Sequence, residues 1–218
     1  MNPPVEFADR SGFRAEMNAL LRMDPASTVV CTVDMQRDYL DPEIATAPVA
    51  AGAAAAVVAA TAQFLDAARG LKIPVVHIYV KRRVIEHEYG FTGSAYSSVG
   101  RRANLSQNAN APARSGWDRV EDSPQSDVPD ALQEPGDVHV TTKKTMDSFY
   151  GTDLDMLLTR ALRPTSLVIA GINTDTCVYS TAFAAANRGY QVVVPSDCTA
   201  SMRGADHHWM ALELMSRS

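Results

Sequence analysis

Cysteine is scarce in this chain of 218 residues, and the three present, Cys31, Cys177 and Cys198, stand at spacings that match neither a zinc site nor a disulfide framework. An odd number of free thiols suits a reducing cytosol. Positive charge is short too: 20 Lys and Arg against 25 Asp and Glu give a formal net charge of −5. The basic residues cluster only at Lys81-Arg82-Arg83, Arg101-Arg102 and Lys143-Lys144, so no nucleic-acid partner is expected. The stretch Met1-Asn2-Pro3-Pro4-Val5-Glu6 lacks a charged start followed by an apolar run, so no secretory signal is expected, and the sequon Asn104-Leu105-Ser106 carries no weight without secretion. One segment, Val49 to Ala68, has the length of a membrane span, but it is mostly alanine and includes Thr61, Gln63 and Asp66. It reads as a packed soluble helix with Gly70 as its C-cap. A cytoplasmic protein with no membrane partner is the expectation.

What is present points to one core. The chain is 46% hydrophobic and long enough for a single α/β domain, expected over residues 25–218 after an N-terminal helical extension, 1–24. In that extension Phe13, Met17, Leu20 and Leu21 recur at helical spacing. Short β-branched runs at 28–33, 73–80, 138–142, 166–170 and 191–194 alternate with helical patterns near 50–69, 153–162, 176–188 and 204–216. Repeated alternation of this kind predicts parallel strands with right-handed crossovers, hence a doubly wound, Rossmann-like three-layer sandwich with a mainly parallel sheet. Between Lys81 and Pro135 the apolar period lapses into Gly, Ser, Asn, Pro and Arg, interrupted by Tyr89, Phe91, Tyr96 and Trp117, which predicts an ordered lid over the carboxyl ends of the strands.

Three chemically complementary residues close predicted strands. Asp34 follows Val29–Val33, Lys143 or Lys144 follows the run at 138–142, and Cys177 follows the apolar run Ser166–Ala170 at a strand-to-helix turn. Backbone N–H groups in a helix's first turn lack internal partners and favour a thiolate, so the turn is expected to activate the cysteine. Each residue alone has an ordinary reading: a buried small hydrophobe, a helix cap, a solvated charge. Parallel topology brings them to one rim, where a carboxylate can take a thiol proton while an ammonium balances charge.

At this point the chain resembles the isochorismatase-like cysteine hydrolases, a family that includes nicotinamidase, N-carbamoylsarcosine amidohydrolase, biuret hydrolase and maleamate amidohydrolase. The resemblance rests on Val33-Asp34-Met35-Gln36-Arg37-Asp38-Tyr39, on Lys143-Lys144-Thr145-Met146-Asp147-Ser148-Phe149-Tyr150-Gly151-Thr152-Asp153-Leu154, and on Gly171-Ile172-Asn173-Thr174-Asp175-Thr176-Cys177-Val178. It implies Asp34 as base, Lys143 as catalytic lysine with Lys144 as the alternate, and Cys177 as nucleophile. It also implies a cis peptide at Ile172-Asn173 that turns the backbone N–H groups of Asn173 and Cys177 toward a substrate oxygen. The metal-binding members carry Asp-x-His and a later His. His77, His87, His139, His207 and His208 do not reproduce that spacing, so no metal and no cofactor are expected, and these histidines read as structural.

The resemblance and the residues together point to cleavage of a small linear amide or ureide, N-carbamoyl- or biuret-like, through a thioester with release of ammonia. Alternatives are a nicotinamidase-like hydrolase, a vinyl-ether hydrolase in which Cys177 is dispensable, and a silent interaction protein, to which Asp147 at an unusual motif position lends support. Gln36 either binds substrate or ties its own loop. Arg37, Lys81, Arg82 and Arg83 either anchor a substrate carboxylate or are solvated; Tyr39, Trp117, Phe149 and Tyr150 either wall the pocket or pack the lid. The resemblance further implies a homodimer or homotetramer, and a strand and helix beyond the helix at 204–216, where this sequence ends.

Overall fold

Six consecutive buried residues, Thr28–Val33, form the central strand β1 of the computed structural model, which describes residues 8–88 and 119–216. A strand buried along its whole length needs cover on both faces, which a parallel sheet with crossover helices supplies. β1 pairs with β2 (Val75–Ile78) on one side and β4 (Ser166–Ile172) on the other. β3 (Val138–Val140) lies outside β2, β5 (Gln191–Val193) outside β4, and a short β6 (Thr199–Ala200) joins the end of β4. Each of these five pairings is parallel, so the doubly wound α/β architecture is present.

The helices are α1 (Ser11–Leu20), α2 (Arg37–Leu40), α3 (Ala51–Gly70), α4 (Val84–Glu88), α5 (Leu154–Met156), α6 (Tyr179–Asn187) and α7 (Ala205–Met215). Alternate residues of a strand point to opposite faces. Val30, Val75 and Val168 therefore pack with Ala54, Val57, Leu65 and Ala68 of α3. Val29, Cys31, Val33, Leu167 and Ile169 pack with Leu154, Leu158, Val178, Ala182 and Ala185 on the other face. α1 buries none of its residues: Arg10 and Arg14 pair with Glu213 of α7 at 3.2 and 2.8 Å, and Phe13, Met17 and Leu21 face an apolar groove shared with Trp209 and Leu212.

Several expected boundaries move. Gly70 is the last residue of α3 rather than its cap, and the left-handed turn after the helix falls on Lys72, φ +60°. The predicted helix at 153–162 is α-helical only through Met156 and continues as a π-helix over Leu157–Leu162, ended by left-handed Arg163. β6 has no counterpart among the predicted strands, because two residues show no period. The expected lid is corrected over 119–135: Val120, Val128 and Leu132 are buried, Val128 and Leu132 in the α3-side core, so this part is wall rather than lid. The aromatic residues Tyr89, Phe91, Tyr96 and Trp117 lie outside the described residues.

Gly171, just past the predicted run 166–170, lies inside β4, opposite Val33. Its φ is +143°, and a Cβ there would meet the Val33 carbonyl oxygen at 2.1 Å, backbone that cannot swing aside. Only glycine lets β1 and β4 meet at the rim. Gly171→Ala is expected to lower stability by about 2–4 kcal/mol in urea unfolding, through overpacking and backbone strain; a loss under about 0.5 kcal/mol, the level of an ordinary surface change, would show the approach to be slack.

Candidate active site

Strand register sets the geometry. Val33 of β1 is level with Ile78 of β2 and Gly171 of β4, and Ile78 is level with Val140 of β3. Asp34, Lys143 and Cys177 each follow one of those aligned ends within a few residues. At Asp34 the chain leaves β1 in a left-handed conformation, φ +51°, which aspartate tolerates better than most side chains. Its N–H donates to the Ile78 carbonyl at 2.8 Å, so the turn is stitched to β2. β3 lies two strands from β1, about 10 Å away at normal strand spacing, and the four-carbon stem of a lysine can bridge such a gap.

The structure brings the three side chains together. Lys143 Nζ donates to Asp34 Oδ2 at 2.6 Å and lies 3.4 Å from Cys177 Sγ, with Lys143 and Asp34 each 1% exposed. Asp34 Oδ1 is buried with no hydrogen-bond partner among the described residues, an acceptor at hand for a thiol proton or a water. Burial alone would lower the lysine pKa, but Asp34 and Cys177 outweigh it and raise the value above the ordinary one. Burial, then the Asp34 carboxylate, push the Cys177 thiol up to about 12 against the opposing influence of Lys143. Burial and Asp34 thus oppose the thiolate-favouring effect expected of a helix terminus. Cys177 sits inside a π-helical turn, Thr174–Val178, that precedes α6.

The turn is pinned from three sides. Asn173 Oδ1 accepts from the Met202 N–H at 2.8 Å, Asp175 Oδ1 accepts from Ser201 Oγ at 2.7 Å, and Thr174 Oγ1 lies 2.8 Å from His208 Nδ1 of α7. The Ile172–Asn173 peptide is cis.

Other candidates part company with the site. Lys144 donates to the Lys81 carbonyl and to Glu86 Oε2, the latter at 2.7 Å, because neighbouring residues in extended chain face opposite ways. It is therefore corrected from site lysine to tether of α4. Gln36 is fully buried: its amide donates to the carbonyls of Val80 and Ser126 at 2.9 and 2.7 Å and accepts from Val80 N–H at 3.3 Å, so it ties two other segments rather than its own loop or a substrate. Phe149 is a core residue, stacked on Tyr190 with the Arg188 guanidinium 4.2 Å from its ring centre, in the cluster against which Cys177 packs, and Tyr150 is 70% exposed. Trp117 lies outside the described residues. Arg82 pairs through its backbone with Arg119 and Glu121. Arg37, Lys81 and Arg83 form ion pairs with Asp41, Asp127 and Glu86. Asp147, the irregular motif residue, caps the Phe149 N–H at 2.8 Å.

Tyr39, on α2 just after Asp34, packs in the α3-side core and accepts a hydrogen bond from Arg119, a residue that no pattern in the sequence marks. His77 is fully buried in a chain linking Thr32 Oγ1, at 2.6 Å, to Asp137, at 3.1 Å, and the latter pairs with Arg69. Among the described residues no group of three or more His, Cys, Asp or Glu side chains is placed to hold a metal ion.

Comparison with known proteins bears on the family and the fold. A family model for the isochorismatase domain matches residues 28–218. The ureidoacrylate amidohydrolase RutB of Methylobacterium radiotolerans is 32% identical over 212 residues, covering 91% of this chain and 79% of that protein. RutB of Methylorubrum extorquens is 32% identical over 212 residues, covering 90% and 81%. Among solved structures, a cysteine hydrolase from Pseudomonas syringae is 25% identical with a TM-score of 0.67, over 90% of this chain and 87% of that one. N-carbamoylsarcosine amidase from Thermoplasma acidophilum, 22% identical, shares the fold with a TM-score of 0.61 over 87% and 92%.

Two outcomes follow from the electrostatics. With the thiol pushed up to about 12, iodoacetamide inactivation of the free protein should rise about tenfold per pH unit from pH 7 to 10 without levelling. Asp34→Asn, which removes a group that raises that pKa, should alkylate several-fold faster at pH 8; a plateau below pH 9 in the wild type would mean a preformed thiolate. Separately, burial would raise the Glu86 pKa, but its bonds to Lys144 and Arg83 win and lower it from 4.5 to about 2. A depressed carboxylate pKa contributes stability that is complete above the unfolded value and disappears as pH falls toward the folded one. Glu86→Gln should therefore lose less stability than the wild type between pH 5 and 2 in urea titrations.

Proposed function

We propose that this chain, which belongs to the isochorismatase family, is a cysteine-dependent amidohydrolase acting on a small linear amide or ureide through a thioester. The observation that carries this reading is a single buried ammonium, Lys143 Nζ, 2.6 Å from the Asp34 carboxylate and 3.4 Å from the Cys177 sulfur. Carboxylate, cation and thiol are the parts that covalent acyl transfer needs: a base, a charge balance and a nucleophile.

In the proposed cycle Asp34 takes the Cys177 proton as the sulfur attacks the carbonyl carbon. The C=O electron pair moves to oxygen, facing the backbone N–H groups of Asn173 and Cys177. The tetrahedral intermediate collapses with cleavage of the C–N bond, and Asp34 returns its proton to the leaving nitrogen, which departs as ammonia or an amine. Asp34 then removes a proton from water; the hydroxyl adds to the thioester, and collapse releases the acid and restores the thiol. Lys143 keeps its proton throughout. Two backbone donors on the oxyanion typically contribute about 2.7–4 kcal/mol each to the transition state. A ureide is favoured over a plain amide by the name of the two RutB relatives, ureidoacrylate amidohydrolase.

Ammonia release should be screened over ureidoacrylate, N-carbamoyl amino acids, biuret, maleamate and nicotinamide, with Cys177→Ala as the blank. Cys177→Ala and Asp34→Asn should each lower kcat/KM about 10⁴-fold or more while keeping the wild-type thermal transition, since members of a catalytic unit fail together. Turnover by Cys177→Ala at the wild-type rate would leave a thiol-independent hydrolase, such as one acting on vinyl ethers.

A further inference from the structure

Lys143 is carried by an irregular segment. Between β3 and α5, residues 141–153 include no helix and no strand, only an isolated bridge from Thr142 to Val80. No hydrogen-bond ladder fixes the register of such a chain, so side chains must. On one side Lys144 ties it to the Lys81 carbonyl and to Glu86 of α4. Within it Thr145 Oγ1 donates to the Asp147 carbonyl at 2.9 Å, Asp147 Oδ1 accepts from the Phe149 N–H at 2.8 Å, and Thr152 Oγ1 donates to the Ser148 carbonyl at 2.7 Å. Residues 145–152 therefore hold together as a unit.

On its other side that unit meets α6, the helix that continues from the Cys177 turn. Ser148 is fully buried, and Thr181, four residues beyond Cys177, is 1% exposed. Thr181 Oγ1 accepts from the Ser148 N–H at 3.2 Å and donates to Ser148 Oγ at 2.8 Å. A helical threonine commonly returns its hydroxyl to the carbonyl one turn back, here that of Cys177; Thr181 gives its proton to Ser148 instead. The chain neighbours of the pair, Phe149 and Ala182, belong to the apolar cluster against which Cys177 packs. Both hydroxyls thus sit in an apolar surround, where an unmet donor or acceptor is costly.

We infer that Ser148 and Thr181 are positioning residues: their paired hydroxyls set the register between the Lys143 segment and the Cys177 helix, and so hold the ammonium within reach of the sulfur. The inference rests on the amidohydrolase reading above and adds to it what keeps cation and nucleophile together. Asp34 holds Lys143 Nζ at 2.6 Å, whereas the sulfur lies 3.4 Å away on a different element. A slip of the segment along α6 lengthens the second contact first. Removing the Thr181 hydroxyl frees that slip without altering Lys143, Asp34 or Cys177. Because Lys143 opposes the rise in the thiol pKa, a longer distance from Nζ to Sγ leaves less thiolate at any given pH.

The test sets Thr181→Val, which keeps the branched shape and loses the hydroxyl, against Thr181→Ser, which keeps the hydroxyl, both assayed well below their thermal transitions. Iodoacetamide, followed by mass spectrometry of the Cys177 peptide, should alkylate Thr181→Val about three- to tenfold more slowly than the wild type at each pH from 7 to 10, and Thr181→Ser within about twofold of the wild-type rate. In ammonia release from 3-ureidoacrylate, kcat should fall about ten- to a hundredfold in Thr181→Val with KM within about twofold, the effect of a small misplacement of reacting groups. A merely structural pair would lower the thermal transition of Thr181→Val and leave alkylation and kcat at wild-type values, and that result would overturn the inference. Equal losses in Thr181→Val and Thr181→Ser would overturn it too. Should Thr181→Val fail to fold, Ser148→Ala decides by the same readings: alkylation about threefold slower supports the pair and a wild-type rate refutes it. If the wild type releases no ammonia from any compound in the screen, the amidase reading falls and the alkylation comparison alone judges the pair.

Discussion

One buried ion pair, Lys143 with Asp34 at 2.6 Å, constrains the rest of the molecule. Moving two charges to a place where both are 1% exposed costs several kcal/mol per ion, and only close contact with further polar partners offsets it. Those partners arrive from three strands that are distant in sequence. The sheet order puts β1 beside β4 and sets β3 two strands off, so the carboxylate and thiol come from neighbouring ends while the cation must reach across β2. Long side chains of charged residues have that reach. The close approach at Gly171, the left-handed turn at Asp34 and the buried amide of Gln36, bridging Val80 and Ser126, all serve to keep these ends level.

What could be read from the residues follows from how local each signal is. β1 and β4 show as β-branched runs, and α3 as an alanine-rich helix whose buried positions 54, 57, 61, 65 and 68 keep helical spacing. The parallel sheet follows from their alternation. Contacts made by residues far apart leave no such trace. Strand alternation says that only one of Lys143 and Lys144 points inward but not which, and the answer depends on Glu86, 58 residues away in sequence from Lys144. Val120, Val128 and Leu132 are buried without any period, so the wall over 119–135 read as lid. Phe149 stands in a motif yet packs on Tyr190 and Arg188, whereas Arg119, in a stretch of glycine, serine and proline, meets Tyr39 across 80 residues. In each case the missing information is tertiary.

A thiol held near 12 looks unsuited to nucleophilic work at neutral pH, and the ion pair resolves the difficulty. That value measures loss of the proton to bulk water, which would place a second negative charge beside Asp34 in a poorly solvated site. In the proposed first step the proton goes to Asp34 instead. Negative charge then moves from carboxylate to sulfur around an ammonium that contacts both, and the net charge of the site does not change. Because the Coulomb energy lost at one contact is regained at the other, the cost of ionising sulfur depends weakly on the low local dielectric.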